Sequence, residues 1–163
     1  MILKPEDLWT GRISFTLEDN MNIKIDISNA SIVNTKNVYI HDDILNDMKF
    51  NRQKGELCLT VNRADDFNRL YIIKYIDTAA FEMTNCNFWG ISPHILDFEY
   101  IPTEKQKLLP KLLEKQLEYN HPQSKKIRDG SYIETVITFT SGDTLIIVCR
   151  EIIICERIPD KQK

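Results

Sequence analysis

The sequence is poor in glycine, and none of its glycines forms a phosphate-binding motif. Only 5 of the 163 residues are Gly, and neither a G-x-G-x-x-G nor a Walker sequence is present. Phosphate loops need several glycines at fixed spacing, because backbone N–H groups must approach the phosphate closely. The G-x-S-x-G pattern of many hydrolases is also missing. These absences argue against nucleotide-dependent and hydrolytic enzymes.

The cysteines are too widely spaced for a metal ribbon or a disulfide scaffold. Cys58, Cys86, Cys149 and Cys155 include no C-x-x-C pair, and the closest two are six residues apart. Zinc ribbons and small disulfide-bonded folds need tighter spacing. We therefore predict four free thiols in a reduced, cytoplasmic protein that binds no metal or other cofactor.

Long apolar runs and an excess of basic charge are absent as well. No stretch approaches the ~20 apolar residues that span a bilayer, and the N-terminus lacks the pattern of a secretory signal. The chain has 21 basic and 24 acidic residues, a formal net charge of −3. We expect neither a membrane nor a nucleic acid as a partner.

What the sequence has in abundance is β-branched side chains. Ile occurs 23 times, and Ile, Val and Thr together make up 39 residues, whereas Ala occurs 4 times. Such side chains lose rotamer freedom in helices and pack well on pleated sheets. The length favours one domain, residues 1–163, which is long enough to need no covalent staple.

Alternating apolar residues predict most of the strands. Between residues 12 and 28 the apolar positions are all odd, which indicates a hairpin with one apolar face and Leu17 opposite Met21. Residues 30–40 suggest two short strands, and residues 41–48 a short helix capped by Asp42 or Asp43. Further strands are predicted at 56–61, 69–76, 80–83 and 95–101.

One helix and one strong hairpin complete the prediction. Leucines at helical spacing indicate a helix over residues 108–119, with Pro110 in its first turn; an earlier start at a Thr103–Gln106 capping box, giving a helix kinked at Pro110, is the alternative. Residues 132–140 and 144–154 form a hairpin around Ser141-Gly142, with Ile137 opposite Ile146, and both faces are apolar. The fold class is therefore α+β, a mainly antiparallel sheet, half-barrel or sandwich-like, with one amphipathic helix packed on it.

Few residues suggest chemistry. His41, His94 and His121 stand beside turn signals, without the spacing of metal ligands or a catalytic triad. Asp97 and Glu99 point to the same side of a strand, where they either hold a ligand or form a solvated face. With Trp89 and His94 they make up an alternative ligand site between the sheet and the helix.

Negative charge is concentrated in one segment. Residues 13–48 carry a net −4, which favours a basic protein partner. The predicted contact residues are Glu18, Asp19, Asp26, Asp42, Asp43 and Asp47. Strand alternation can divide these six residues between two faces.

Two segments, Phe81-Glu82-Met83-Thr84-Asn85-Cys86-Asn87-Phe88-Trp89-Gly90 and Phe139-Thr140-Ser141-Gly142-Asp143-Thr144-Leu145, resemble parts of small bacterial domains. The β-rich, Ile- and Asn-rich chain resembles bacterial immunity proteins, including those of contact-dependent growth inhibition systems. The resemblance implies that the protein inhibits a toxin by covering its active site or its substrate surface, and it assigns no functional residue.

Three functions follow as hypotheses. The first is a non-enzymatic protein-binding module, an immunity protein that occludes a cognate basic toxin domain. The second is an enzyme or small-ligand binder that uses the alternative site. The third is an assembly subunit whose apolar patch drives homo-oligomerisation.

Overall fold

The computed structural model describes residues 22–34, 40–66, 68–84, 93–119, 127 and 130–157. Their nine strands are β1 Asn22–Ile25, β2 Ile44–Asn51, β3 Glu56–Asn62, β4 Leu70–Ile76, β5 Ala80–Met83, β6 Ile95–Ile101, β7 Ile133–Phe139, β8 Thr144–Cys149 and β9 Glu151–Arg157. The helix α1 spans Leu108–Tyr119, and short 3₁₀ turns span Ala30–Asn34 and Thr103–Lys105. None of the described helices is long and apolar enough to cross a membrane.

The strands form two antiparallel sheets. The five-stranded sheet has the order β1-β9-β4-β3-β2, and the four-stranded sheet has the order β5-β8-β7-β6. The α+β prediction with a mainly antiparallel sheet is confirmed. β7 and β8 are the inner strands of their sheet, as their two apolar faces predict.

The sheets pack face to face, and α1 covers the other side of the four-stranded sheet. The main core joins side chains of both sheets, among them Leu57, Leu59, Ile73, Ile137, Leu145 and Ile152. A second apolar cluster fills the space under α1, with Leu108 and Leu109 against Tyr132 and Val148. The layers are therefore sheet, sheet and helix, which is the sandwich-like form of the prediction.

A buried carboxylate anchors the start of α1. Glu134 of β7 accepts hydrogen bonds from the N–H groups of Lys107, Leu108 and Leu109 at 2.7–2.9 Å. These are among the N–H groups that a helix start leaves without intrahelical partners. The start at Leu108 confirms that Pro110 stands in the first turn, where proline is tolerated. The earlier start at a capping box is not observed.

The helix predicted at residues 41–48 is wrong, because this segment begins β2. A β-bulge between Leu45 and Asp47 shifts the pairing of β2 with β3 by one residue. Leu45 and Met48, both on the face toward the core, are therefore three residues apart, a spacing that imitates a helix. Asp42 takes a left-handed conformation in the preceding turn instead of capping a helix.

The two strands predicted at residues 30–40 are also not found in the described part, where Ala30–Asn34 form a 3₁₀ turn. Local hydrogen bonds start this turn. The Asn29 side chain accepts from Asp26 N–H at 2.8 Å, and Asn29 O accepts from Ile32 N–H at 2.9 Å. Such bonds compete with strand pairing. Residues 35–39 lie outside the described residues.

The final hairpin forms with a register one residue away from the prediction. Ile137 lies opposite Leu145 instead of Ile146, because the loop has three residues and Gly142 closes it with a φ of 88°. A type I turn followed by a left-handed glycine is a common three-residue hairpin loop. The second predicted strand, 144–154, is divided at Arg150, so that β8 and β9 belong to different sheets.

The first predicted hairpin is described only in its second half. β1 is present, with Ile25 buried as the alternation predicts, while the partner strand and Leu17 lie outside the described residues. The three described cysteines, Cys58, Cys149 and Cys155, are free, as predicted, and all three lie in strands. Cys86 lies outside the described residues.

Candidate functional site

The predicted acidic contact residues do not meet on one surface. Asp26 follows β1, whereas Asp42, Asp43 and Asp47 precede or belong to β2. β1 and β2 are the opposite edges of the five-stranded sheet, with three strands between them. Neighbouring strands are ~4.8 Å apart, so these two edges are separated by about 19 Å. Glu18 and Asp19 lie outside the described residues.

Asp26 organises the turn after β1. Its carboxylate accepts hydrogen bonds from the Ser28 hydroxyl and the Ser28 N–H. These bonds to the charged form lower the pKa of Asp26, with a smaller contribution from Lys24. Asp26 is therefore a partly solvated turn residue whose carboxylate is already engaged.

Asp43 is buried, with 2% of its surface exposed. It accepts a hydrogen bond from Ala64 N–H at 2.9 Å and lies 3.7 Å from Arg63 Nε. Burial raises its pKa, while the Ala64 N–H and the Arg63 guanidinium oppose that shift. Arg63 also donates to the Tyr71 hydroxyl at 2.6 Å. Asp43 therefore joins the turn before β2 to the loop after β3, and its burial removes it from direct contact with a partner.

Asp42 and Asp47 remain accessible, but both already have partners. The Asp42 carboxylate lies 3.0 Å from His41 Nδ1, and the Asp42 carbonyl lies 3.1 Å from His94 Nδ1. Asp47 forms an ion pair with Lys49 at 3.1 Å. His94 thus belongs to the junction between the two sheets.

The alternative ligand site does not form an enclosed space in the described residues. The gap between α1 and the four-stranded sheet is filled by apolar side chains. Asp97 and Glu99 are exposed, while Phe98 between them is buried, so the two carboxylates form a solvated face of β6. No group of three or more metal-ligating side chains occurs among the described residues. Trp89 lies outside them.

Asp97 and Glu99 nevertheless belong to a larger surface. The strand registers place eight residues on the face of the four-stranded sheet beside α1. One row crosses the sheet as Glu99, Val136, Ile146 and Glu82. The next row contains Asp97, Thr138 and Thr144, and it continues to Thr84, whose hydroxyl lies 2.8 Å from that of Thr144. We call these eight residues the outer strip.

The outer strip is negatively charged. None of the ion pairs between described residues involves Glu82, Asp97 or Glu99. Partial burial raises the pKa of Glu99, and the neighbouring Asp97 raises it further, against the smaller effect of Lys105. Two carboxylates that repel each other when both are ionised favour the approach of a cation, which relieves this repulsion. The strip can therefore bind a positively charged surface.

Glu82 was missed by the sequence analysis. The signal for it was the alternation of β5, in which Ala80, Glu82 and Thr84 share one face. That alternation could not show that β5 and β6 belong to the same sheet, because strand order depends on contacts between distant segments.

No family model matches the chain, and no curated protein matches it. Among solved structures, the chain is similar to an uncharacterized protein from Neisseria gonorrhoeae, with 15% sequence identity and a TM-score of 0.45. The alignment covers 82% of this chain and 96% of that chain.

Proposed function

We propose that the protein is a non-enzymatic protein-binding module, an immunity protein that neutralises a basic toxin domain by covering it with the outer strip. The observation that supports this proposal is the composition of the outer strip, whose three carboxylates belong to exposed residues. Glu82 and Glu99 are exposed at its two edges, and the half-buried Val136 and Ile146 lie between them, with Ile146 packed against the apolar cluster under α1. Asp97 adds a third carboxylate.

Charge and shape together favour a protein partner. Glu82 and Glu99, at the two ends of the row that contains Val136 and Ile146, are separated by three strand spacings, about 14 Å, which is wide enough to meet several side chains of one partner. The side chains between them are apolar or carry threonine hydroxyls, so a partner can dehydrate the centre while its cations meet the carboxylates at the rim. Charge complementarity of this kind sets the rate and specificity of association.

The immunity role follows from the resemblance described above, and it places the protein in the cytoplasm with its toxin. Occlusion needs only a surface that fits the toxin. Occlusion turns over no substrate, so we expect inhibition to be stoichiometric.

The product of the neighbouring upstream gene is the partner to test. The experiment expresses that product in a bacterial host with and without this protein, and measures both growth and complex formation by calorimetry. We expect growth to be restored and a 1:1 ratio of binding sites. If the product is toxic but this protein neither binds it nor restores growth, the immunity proposal is wrong.

Charge reversal locates the interface. We expect Glu82→Lys and Glu99→Lys each to weaken toxin binding about tenfold or more, mainly through slower association at low salt. Glu114→Lys is the matched control, because Glu114 is an exposed glutamate on α1 outside the strip. Equal effects of the strip variants and the control would mean that net charge, and not the outer strip, determines binding.

A further inference from the structure

Among the described residues, β2 has an open edge beyond its first two residues. One side of β2 pairs with β3 along its whole length. On the other side, Ile44 forms an isolated bridge with His94, and Leu45 N–H donates to Pro93 O at 3.0 Å. Across the described parts of the chain, no strand pairs with this side of residues 46–51. Open strand edges are sites at which another strand can add.

The Met48 N–H group points to this open edge. It donates a hydrogen bond to the Asp47 carboxylate at 3.0 Å. An amide that is satisfied by a neighbouring side chain can exchange that bond for a backbone carbonyl of an added strand. Hydrogen-bonding groups alternate along a strand, so the amide of Phe50 faces the same edge.

The side chains around Met48 are self-complementary. Asp47 and Lys49 lie on the face of β2 away from the core, one on each side of Met48. Met48 and Phe50 lie on the opposite face, where they are 36% and 42% exposed. We propose that a second copy of this chain adds to β2 by a two-fold axis centred on Met48, which joins the two five-stranded sheets into one.

In this register both the backbone hydrogen-bonding groups and the charged side chains have partners in the other copy. Met48 pairs with the other Met48, each donating its N–H to the carbonyl of the other, and Asp47 of each copy lies opposite Lys49 of the other. The Asp47 carboxylate is released from the Met48 N–H, and it exchanges its ion pair with Lys49 of its own chain for one with Lys49 of the other copy. Opposite charges at directly paired positions stabilise a sheet.

Repulsion between like charges and the direction of the side chains disfavour the other registers. A two-fold axis centred on Lys49 or on Asp47 places like charges opposite each other. An axis between two residues would pair side chains from different faces, which an antiparallel sheet does not allow. The bulge at Leu45–Asp47 ends the pairing segment. The interface is therefore short, and we expect a weak, concentration-dependent dimer.

The dimer is independent of the proposed function, because it uses the other sheet and leaves the outer strip open. Sedimentation equilibrium of the full chain tests it directly. We expect a mass that rises with concentration from 19.1 kDa toward twice that value. A mass of one chain at about 1 mM would overturn the proposal.

Two variant sets test the register. Met48→Cys should form a covalent dimer under mild oxidation, because paired Cα atoms at this position are ~5.5 Å apart. Leu96→Cys, on β6 and 44% exposed, is the control, and equal dimer yields from both variants would refute the register. Asp47→Lys and Lys49→Asp should each weaken the dimer about tenfold, while the double swap restores it. A double swap as weak as the single variants contradicts the proposed pairing.

Discussion

Replacing Glu134 should destabilise the protein more than replacing any exposed acidic residue. This glutamate is 1% exposed, and its two carboxylate oxygens accept all three hydrogen bonds at the start of α1. Two of the three N–H donors, those of Leu108 and Leu109, are buried with it. Glu134→Ala leaves these donors without their acceptor and removes a negative charge from the positive end of the helix dipole.

The expected loss can be worked from these contacts. A buried donor left unsatisfied costs about 1–3 kcal/mol, and loss of a helix cap costs about 0.5–2 kcal/mol. Water can reach the less buried Lys107 N–H, so we expect a fall of about 3 kcal/mol in the free energy of unfolding. For a chain of this size, that corresponds to a fall of about 6–12 °C in Tm. Glu134→Gln keeps one acceptor oxygen, and we expect about half of the loss.

Urea unfolding followed by circular dichroism measures the effect, with calorimetry for Tm. Glu114→Ala is the matched control, because Glu114 lies on the exposed side of the same helix, and we expect a change within about 0.5 kcal/mol. The reasoning is refuted if Glu134→Ala is no more destabilising than this control. Hydrogen exchange adds a local check, since the amides of Leu108 and Leu109 should exchange faster in both Glu134 variants.

Two further predictions concern buried titratable groups. Burial raises the pKa of Asp43 above its ordinary 3.8, so its carboxyl group binds a proton more tightly in the folded state than in the unfolded state. The contribution of Asp43 to the free energy of unfolding is therefore greatest below pH 3.8 and falls as pH rises through the raised pKa. The stability of the wild type relative to Asp43→Asn should therefore fall across that window in urea titrations, and a rise would show that Arg63 outweighs burial. Burial also raises the pKa of the Cys149 thiol well above its usual range, so iodoacetamide should label Cys149 only as fast as the protein unfolds globally; labelling as fast as that of the less buried Cys155 would contradict this.

The strands that the sequence predicted well are those in which a single, uninterrupted pattern determines burial. β3 alternates strictly between buried and half-buried residues, as its sequence indicates. β2 is an edge strand in which residues 46–51 alternate between exposed and half-buried, and its bulge adds one residue and breaks the period of two. Periodicity can identify a strand only where the pairing is regular, so a bulged edge strand resembles a helix.

The error in the register of the β7–β8 hairpin has a different cause. Where one face is apolar, a shift of one residue would expose it, and the pattern then fixes the register. In β7 and β8 both faces are buried, so Ile137 is equally well placed opposite Leu145 or Ile146. The loop decides instead. Gly142 adopts the left-handed conformation that closes a three-residue turn. The hydrophobic pattern of the strands does not predict this loop length.

The candidate site shows why charge counted along the chain did not predict charge on the surface. The acidic segment 13–48 contributes residues to both edges of the five-stranded sheet, and the buried Asp43 among them contributes to stability and not to a surface. Glu82 and Glu99 are 17 positions apart in sequence, yet β8 and β7 place them in one row of the other sheet. A binding face of a sheet is assembled by strand order, and strand order is decided by core packing between segments that no local window contains. The acidic residues that matter for binding are therefore those whose strands share a sheet.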